Sequence, residues 1–325
     1  MARLRKTDGS SGWLLRSRDL IGRSRACTIR LDEPEVSGEH AVLRWTGACW
    51  DIKDLHSRNG VWVDGRRLEP GVPAMLAAGS VLGFGRADGY TLVDAGEPVA
   101  FAEPQDGGEP IESLGGILAL PDPDAPAAMI FRTGATWSMD QAGEVVPIAD
   151  GETVQVGATA FRVLLPEALP PTANAAPSAP QLDDLQLRFA VSRDEEYVEL
   201  IALCGDRVFD LQARSHHYPL LLLARARLRQ RDLPPAYQGW VHQHALLEQL
   251  RIDRNQLHLN IFRVRRQFGE AGIGEAARII ERRPNTSQLR IGVQHLEIVA
   301  SDDDGSASGP QERDDPRRRA ARSPR

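Results

Sequence analysis

The stretches Leu20-Ile21-Gly22-Arg23-Ser24, Val36-Ser37-Gly38-Glu39-His40-Ala41 and Asp54-Leu55-His56-Ser57-Arg58-Asn59-Gly60 lie within one span of 41 residues, and they decide how the N-terminal third is read. Apolar residues around them alternate in short runs, such as Trp50 and Ile52 or Val61 and Val63. Glycine or proline breaks these runs at spacings of roughly 8 to 12 residues, the texture of an antiparallel sandwich. Few segments are long and periodic enough for a helix. The polar residues of the three stretches then fall on loops, where a rigid scaffold presents its chemistry.

Taken with Ile29-Arg30-Leu31, Trp50-Asp51-Ile52-Lys53 and Val63-Asp64-Gly65, these pieces resemble the forkhead-associated (FHA) domain over about 90 residues. Gly-Arg and Ser-x-x-His are each common, so the signal lies in the ordered set. A phosphothreonine carries about −1.5 to −2 charges and three acceptor oxygens, so its site needs a permanently charged donor and short hydroxyl or amide donors. The resemblance implies that Arg23 and Ser37 contact the phosphate and that Asn59 hydrogen-bonds the peptide backbone. It also implies that Arg58 borders the phosphate or nearby peptide residues, and that His40 braces the loop with support from Gly22 and Gly60. Gly38-Glu39 departs from the polar or basic pair often found there and sets an acid beside the site.

The chain repeats itself. Thr46-Gly47-Ala48-Cys49-Trp50 returns as Thr133-Gly134-Ala135-Thr136-Trp137, and Gly79-Ser80-Val81-Leu82-Gly83-Phe84-Gly85 returns as Gly151-Glu152-Thr153-Val154-Gln155-Val156-Gly157. Between these landmarks the first copy spends 29 residues and the second 14, and the missing part spans the equivalents of Asp54 to Gly65. The second copy is expected to be a degenerate FHA-like β unit that reads no phosphate.

Beyond a Pro/Ala-rich stretch the pattern changes. Leu185, Leu187, Phe189 and Val191 alternate, then come Tyr197 to Leu203 and Val208 to Leu211, which predicts a small antiparallel sheet. Helical spacing follows, with one helix starting near Pro219 and a short one holding Leu246, Leu247 and Leu250. A third is expected from Asp253 to about Phe268, with Asp253 as N-cap and Gln256 reaching back to complete a capping box. In that helix Leu257, Ile261, Val264 and Phe268 form an apolar stripe, and Gln256, Asn260, Arg263 and Gln267 repeat the spacing one residue earlier. Arginine, asparagine and glutamine suit base edges.

The stripe, the sheet before it and a hairpin expected over Ile279 to Ile298 resemble the OmpR-type winged-helix effector domain. His242 stands where that family caps its second helix with Ser or Thr, and its Gly-x-Gly-Tyr ending is reduced to Gly292. The resemblance implies DNA contact through Gln256, Asn260, Arg263, Arg265, Arg266 and Gln267 on the helix and through Arg282, Arg283 and Arg290 on the hairpin. Arg263 would read a base, while Arg265 and Arg290 would hold the backbone or minor groove.

Regional charge agrees. Leu211 to His295 carries 14 arginines against 6 acids, Ala95 to Leu165 carries 2 basic against 11 acidic residues, and the 325-residue chain nets −6. The expected architecture is an all-β FHA sandwich (1–94), the degenerate unit (95–166), a linker (167–181), an α/β winged helix-turn-helix domain (182–299) and a disordered tail (300–325). No purely apolar run exceeds five residues, Leu220 to Ala224 being one, against roughly 20 for a membrane span. No secretion signal is evident, and three scattered cysteines propose neither disulfides nor zinc, so a cytoplasmic protein is expected. His242-x-His244 lacks partners at metal-ligand spacing. Without a phosphate loop, kinase signature or nucleophile elbow, no enzyme and no cofactor is expected. The composite implies a phosphorylation-responsive transcriptional regulator that binds a phosphothreonine-containing partner and double-stranded DNA. An FHA-containing adaptor of a signalling or secretion complex, with its winged helix bound to protein, stays open beside it.

Overall fold

A computed structural model describes residues 1–167, 179–284 and 286–301. Most of the expected linker, Asn285 of the expected hairpin turn, and the expected tail from 302 onward lie outside the described residues.

The N-terminal unit is two facing sheets. One has the order Gly12–Leu14, Arg3–Lys6, Tyr90–Asp94, Val81–Phe84, Val61–Val63, Arg66–Arg67; the other runs Ile29–Arg30, Arg18–Gly22, Ala41–Trp45, Trp50–Asp54, Pro73–Leu76. Leu4, Val61, Leu82 and Leu92 from the first meet Ile21, Leu43, Trp50 and Ile52 from the second in one core. Each such apolar side chain contributes about 1.5–3 kcal/mol on burial. The loops of interest therefore leave a packed base.

The middle unit repeats this plan with fewer strands. Its sheets are Ile111–Glu112, Phe101–Pro104, Thr159–Leu164, Thr153–Val156 and Ile117–Leu120, Ala128–Thr133, Thr136–Gln141, Glu144–Pro147. The repeated motifs make matching bonds: Gly79 N–H donates to the Leu92 carbonyl and Gly151 N–H to the Val163 carbonyl, each at 2.8 Å. The second copy has no counterpart of the strands Val61–Val63 and Arg66–Arg67, which leaves Thr153–Val156 as a sheet edge. In its second sheet, Leu118, Leu120, Ala128 and Ile130 enter the unit's own core, whereas Ile117, Ala119, Met129 and Phe131 enter the core of the C-terminal residues. Both faces of that sheet are covered.

The C-terminal unit has the sheet order Arg207–Ala213, Val198–Cys204, Gln186–Val191, His295–Ala300. Helices α1 (His217–Arg229), α2 (Gln243–Leu250) and α3 (Arg254–Glu270) follow in the chain, with a small sheet of Val241–His242, Gln288–Ile291 and Ile280–Arg282. The expected hairpin is shorter than its sequence span. Ile280–Arg282 pairs with Gln288–Ile291, but His295–Ala300 leaves to pair parallel with Gln186–Val191. Asp253 does cap α3, its Oδ1 accepting the Gln256 N–H at 2.7 Å. The reciprocal half of the capping box is absent, because the Gln256 amide turns to Asn260 Oδ1 at 3.3 Å. Among the described residues no helix is long and apolar enough to cross a membrane.

Candidate functional site

At one end of the N-terminal sandwich three loops are tied together from beneath. His40 is fully buried between them. Its Nδ1 accepts the Ser37 N–H at 2.9 Å, which leaves Nε2 to donate to the Gly60 carbonyl at 3.0 Å. Burial holds the imidazole below its ordinary pKa, against the opposing pull of the Gly60 carbonyl and Asp54, so the ring stays neutral and the tautomer fixed. Backbone bonds complete the frame, with Arg23 N–H to the Ser37 carbonyl at 2.9 Å and Ser24 N–H to the Gly38 carbonyl at 2.8 Å.

Ser37 Oγ accepts the Arg58 N–H at 3.0 Å, which directs its own proton outward and joins two loops. The Asn59 amide donates to the Glu35 carbonyl at 2.8 Å, so its oxygen is left to accept a backbone N–H. Arg23 and Arg58 are exposed, and no described side chain pairs with either guanidinium. Arg23, Ser37, Arg58 and Asn59 are thus gathered on one rim, with His40, Gly22 and Gly60 beneath. Two supporting residues escaped the sequence reading. Asp54 Oδ1 accepts the Ser57 N–H at 2.8 Å and Ser57 Oγ accepts the Gly60 N–H at 3.0 Å, shaping the third loop. Their three-residue spacing, Asp54-x-x-Ser57-x-x-Gly60, was the available signal for side-chain-stabilised turns.

Residues 20–85 match the FHA domain family model, the span that carries all of these loops. The N-terminal unit is an FHA domain. It is similar to an FHA domain solved in work on phosphothreonine-dependent FHA interactions, at 29% identity over 28% of this chain and 92% of that one, with a TM-score of 0.25. Mycobacterium tuberculosis EmbR, solved with a low-affinity phosphopeptide, is 31% identical over 30% of this chain and 25% of its own, with a TM-score of 0.26. The FHA domain of the CT664 protein from Chlamydia trachomatis is 27% identical over 29% and 96%, also at 0.26. A comparison with curated protein sequences gives no match.

The residues expected to meet DNA are scattered by contrast. At 3.6 residues per turn, α3 presents three faces. Leu257, Ile261, Val264 and Phe268 face the C-terminal core as expected. His258, Phe262, Arg265 and Gly269 share a second face that meets the middle unit. Arg265 requires correction, because its side chain is 2% exposed and lies 3.4 Å from Asp140, with its guanidinium 4.4 Å from the Phe131 ring. Arg282 is corrected likewise, being 6% exposed and 2.8 Å from Asp140. Gln267 is consumed inside the C-terminal unit: its Oε1 accepts from His216 at 2.9 Å and His217 at 2.7 Å, and its amide donates to the Leu211 carbonyl.

Asn260 is buried, and Arg266 pairs with Glu270 at 2.8 Å. Arg290 bonds Glu281 at 2.6 Å and the Pro235 carbonyl at 3.0 Å while stacking on Trp240, so it is a strut of the small sheet rather than a free cation. Only part of the set stays open. Arg263 is exposed without a described partner, Gln256 is exposed two turns earlier on the same stripe, and the exposed Arg283 guanidinium bonds Gln288 at 3.2 Å and lies 5.7 Å from the Trp240 ring. His242 contacts Gln288 and His244 pairs with Glu248.

Proposed function

We propose that this chain is a non-enzymatic, cytoplasmic regulator whose FHA domain docks on a phosphothreonine-containing partner, a Ser/Thr kinase or its substrate, and whose C-terminal unit is a winged helix that contacts duplex DNA. The observation that carries the first half is Arg23. Its exposed guanidinium has no partner among the described residues, its backbone N–H is bonded to the Ser37 carbonyl, and the Ser37 hydroxyl uses one lone pair on the Arg58 N–H and keeps its proton to donate, on a loop locked from inside by neutral His40. Phosphate oxygens there would accept charge-assisted bonds worth about 1.5–3 kcal/mol. Titration with a phosphothreonine peptide and its plain counterpart tests the reading. Arg23→Ala should weaken phosphopeptide binding about tenfold or more at unchanged melting temperature, since one such bond is worth that much. Equal binding of the two peptides would end it.

The DNA half is supported by Arg263, Gln256 and Arg283 lying open within a strongly basic region. A second reading, the adaptor, is favoured by the burial of one face of α3 against the middle unit. Duplex binding by the full chain separates them, since log K should fall with log salt by about 0.9 per phosphate contact. A chain blind to duplex at low salt would leave the adaptor.

A further inference from the structure

Beyond Arg23 and Arg58, the rim of the FHA domain carries the guanidinium of Arg67. The strand Arg66–Arg67 closes the hairpin that follows Asn59-Gly60, with Trp62 opposite Arg67 and Val63 opposite Arg66. Successive strand residues face opposite sides, so only one of the two arginines turns towards Gly60. That one is Arg67, because a Cβ added to Gly60 would collide with Arg67 Nε and lie 3.0 Å from its Cζ and Nη2. The guanidinium rests on Gly60, one residue from Asn59, on a side chain that stays exposed. No described carboxylate pairs with it.

The seat under this charge is rigid. Gly60 has φ 88°, its N–H donates to Ser57 Oγ at 3.0 Å, and its carbonyl accepts from His40 Nε2 at 3.0 Å and from the Gly85 N–H at 2.9 Å. Asn59 is tied in turn to the Glu35 carbonyl. A peptide whose backbone N–H is taken by the Asn59 oxygen therefore passes about one residue, roughly 3.8 Å of chain, from a fixed positive charge. An arginine fork already held in place loses little freedom on meeting a carboxylate. Such a charge discriminates in both directions, since an acid gains an ion pair and a lysine is repelled.

We infer that Arg67 is a specificity residue of the phosphothreonine site, favouring an aspartate or glutamate within a few residues of the phosphothreonine in the partner and disfavouring a lysine there. The inference rests on the phosphothreonine half of the proposed function. Phosphate contact falls to Arg23 and Ser37 in that reading, so the phosphate requirement and the acid preference are separable.

The test titrates the full chain with phosphothreonine peptides that have alanine flanks and a single glutamate at each of the three positions before and after the phosphothreonine, together with glutamine and unphosphorylated counterparts. In wild type the glutamate peptide should bind about threefold to fivefold more tightly than its glutamine counterpart in one register, the worth of an exposed ion pair. Arg67→Gln should abolish that difference while phosphorylated peptides still bind better than plain ones, and Arg67→Lys should restore part of it. A merely structural role would weaken all peptides alike and leave the preference standing. A wild type indifferent to the glutamate, or a preference that survives Arg67→Gln, would overturn the inference with the phosphothreonine reading intact. Equal binding of phosphorylated and plain peptides by wild type would overturn both. If Arg67→Gln does not fold, the Nε–H resonance of Arg67 in wild type decides: it should shift with the glutamate peptide and not with the glutamine one, and an equal response to both would sink the assignment.

Discussion

A methyl group on Gly22 would meet the Gly38 carbonyl well inside contact distance and lie 3.0 Å from Cys27 Sγ. Neither neighbour is free to yield. The Cys27 thiol donates to that same carbonyl at 3.2 Å, and the strand end carrying Gly22 is fixed by Leu31 N–H on its own carbonyl at 3.0 Å. Gly22→Ala should therefore destabilise the FHA domain by about 1–3 kcal/mol, as overpacking typically does. Urea unfolding of the full chain would show an earlier first transition, and phosphopeptide affinity should fall with it. An unchanged midpoint would mean that the loop gives way cheaply. The rim was legible from the sequence because Arg23, Ser37, His40 and Asn59 act through contacts within one compact loop cluster. Asp140 was not, because it meets its partners across 125 and 142 residues of chain and nothing local marks it.

At the scale of elements, α3 was found from its spacing, but only one of its two buried faces was. An apolar stripe announces a core, whereas Phe262, Arg265 and Gly269 do not look like a stripe. The sheet that covers them did leave a sign. Ile117-Leu118-Ala119-Leu120 and Ala128-Met129-Ile130-Phe131 are continuous apolar runs rather than alternating ones, as expected where both sides of a sheet are buried. The parallel strand His295–Ala300 was likewise assigned to a hairpin because the nearest preceding strand is the default partner in sequence.

The start of α1 gives this region a pH signature. Burial, with Gln267 opposing, pushes His216 down to about 4, and burial also lowers His217. An unfolded chain protonates near 6.5, so between that value and about 4 the unfolded state binds more protons than the folded one. Stability is full above pH 6.5 and declines as pH falls towards 4, with His216 accounting for at most about 3 kcal/mol. Urea midpoints of the C-terminal transition measured from pH 7 to 4 should drop accordingly, and Gln267→Leu should alter that profile.

Across the whole molecule the cores are linked. The middle unit gives one face of a sheet to its own core and the other to the C-terminal one, and touches the FHA domain through Arg3–Glu112 at 2.8 Å and the Trp50 indole on the Gly96 carbonyl at 2.9 Å. It shares the two-sheet plan of the FHA domain but has no strands matching Val61–Val63 and Arg66–Arg67, and its net charge of −9 over Ala95 to Leu165 disfavours a phosphate. Full chain carrying Arg23→Ala should accordingly show a single, weakened phase of phosphate-dependent peptide binding. A second saturable phase would place a ligand site in residues 95–166.

The parallel pairing of Gln186–Val191 with His295–Ala300 also sets how the C-terminal unit bears load. Tension applied through the two ends of the unit runs along these strands in opposite directions, so the six residue pairs from Gln186–His295 to Val191–Ala300 are sheared together. A hairpin such as Thr153–Val156 with Thr159–Leu164, pulled at its open end, would instead peel one pair at a time. Forced unfolding is governed by a rate, and a barrier shared by six pairs is crossed rarely. In single-molecule pulling of the full chain the C-terminal unit should break last. A protein held by a docked partner at one end and tethered at the other would stretch elsewhere before the region around α3 came apart.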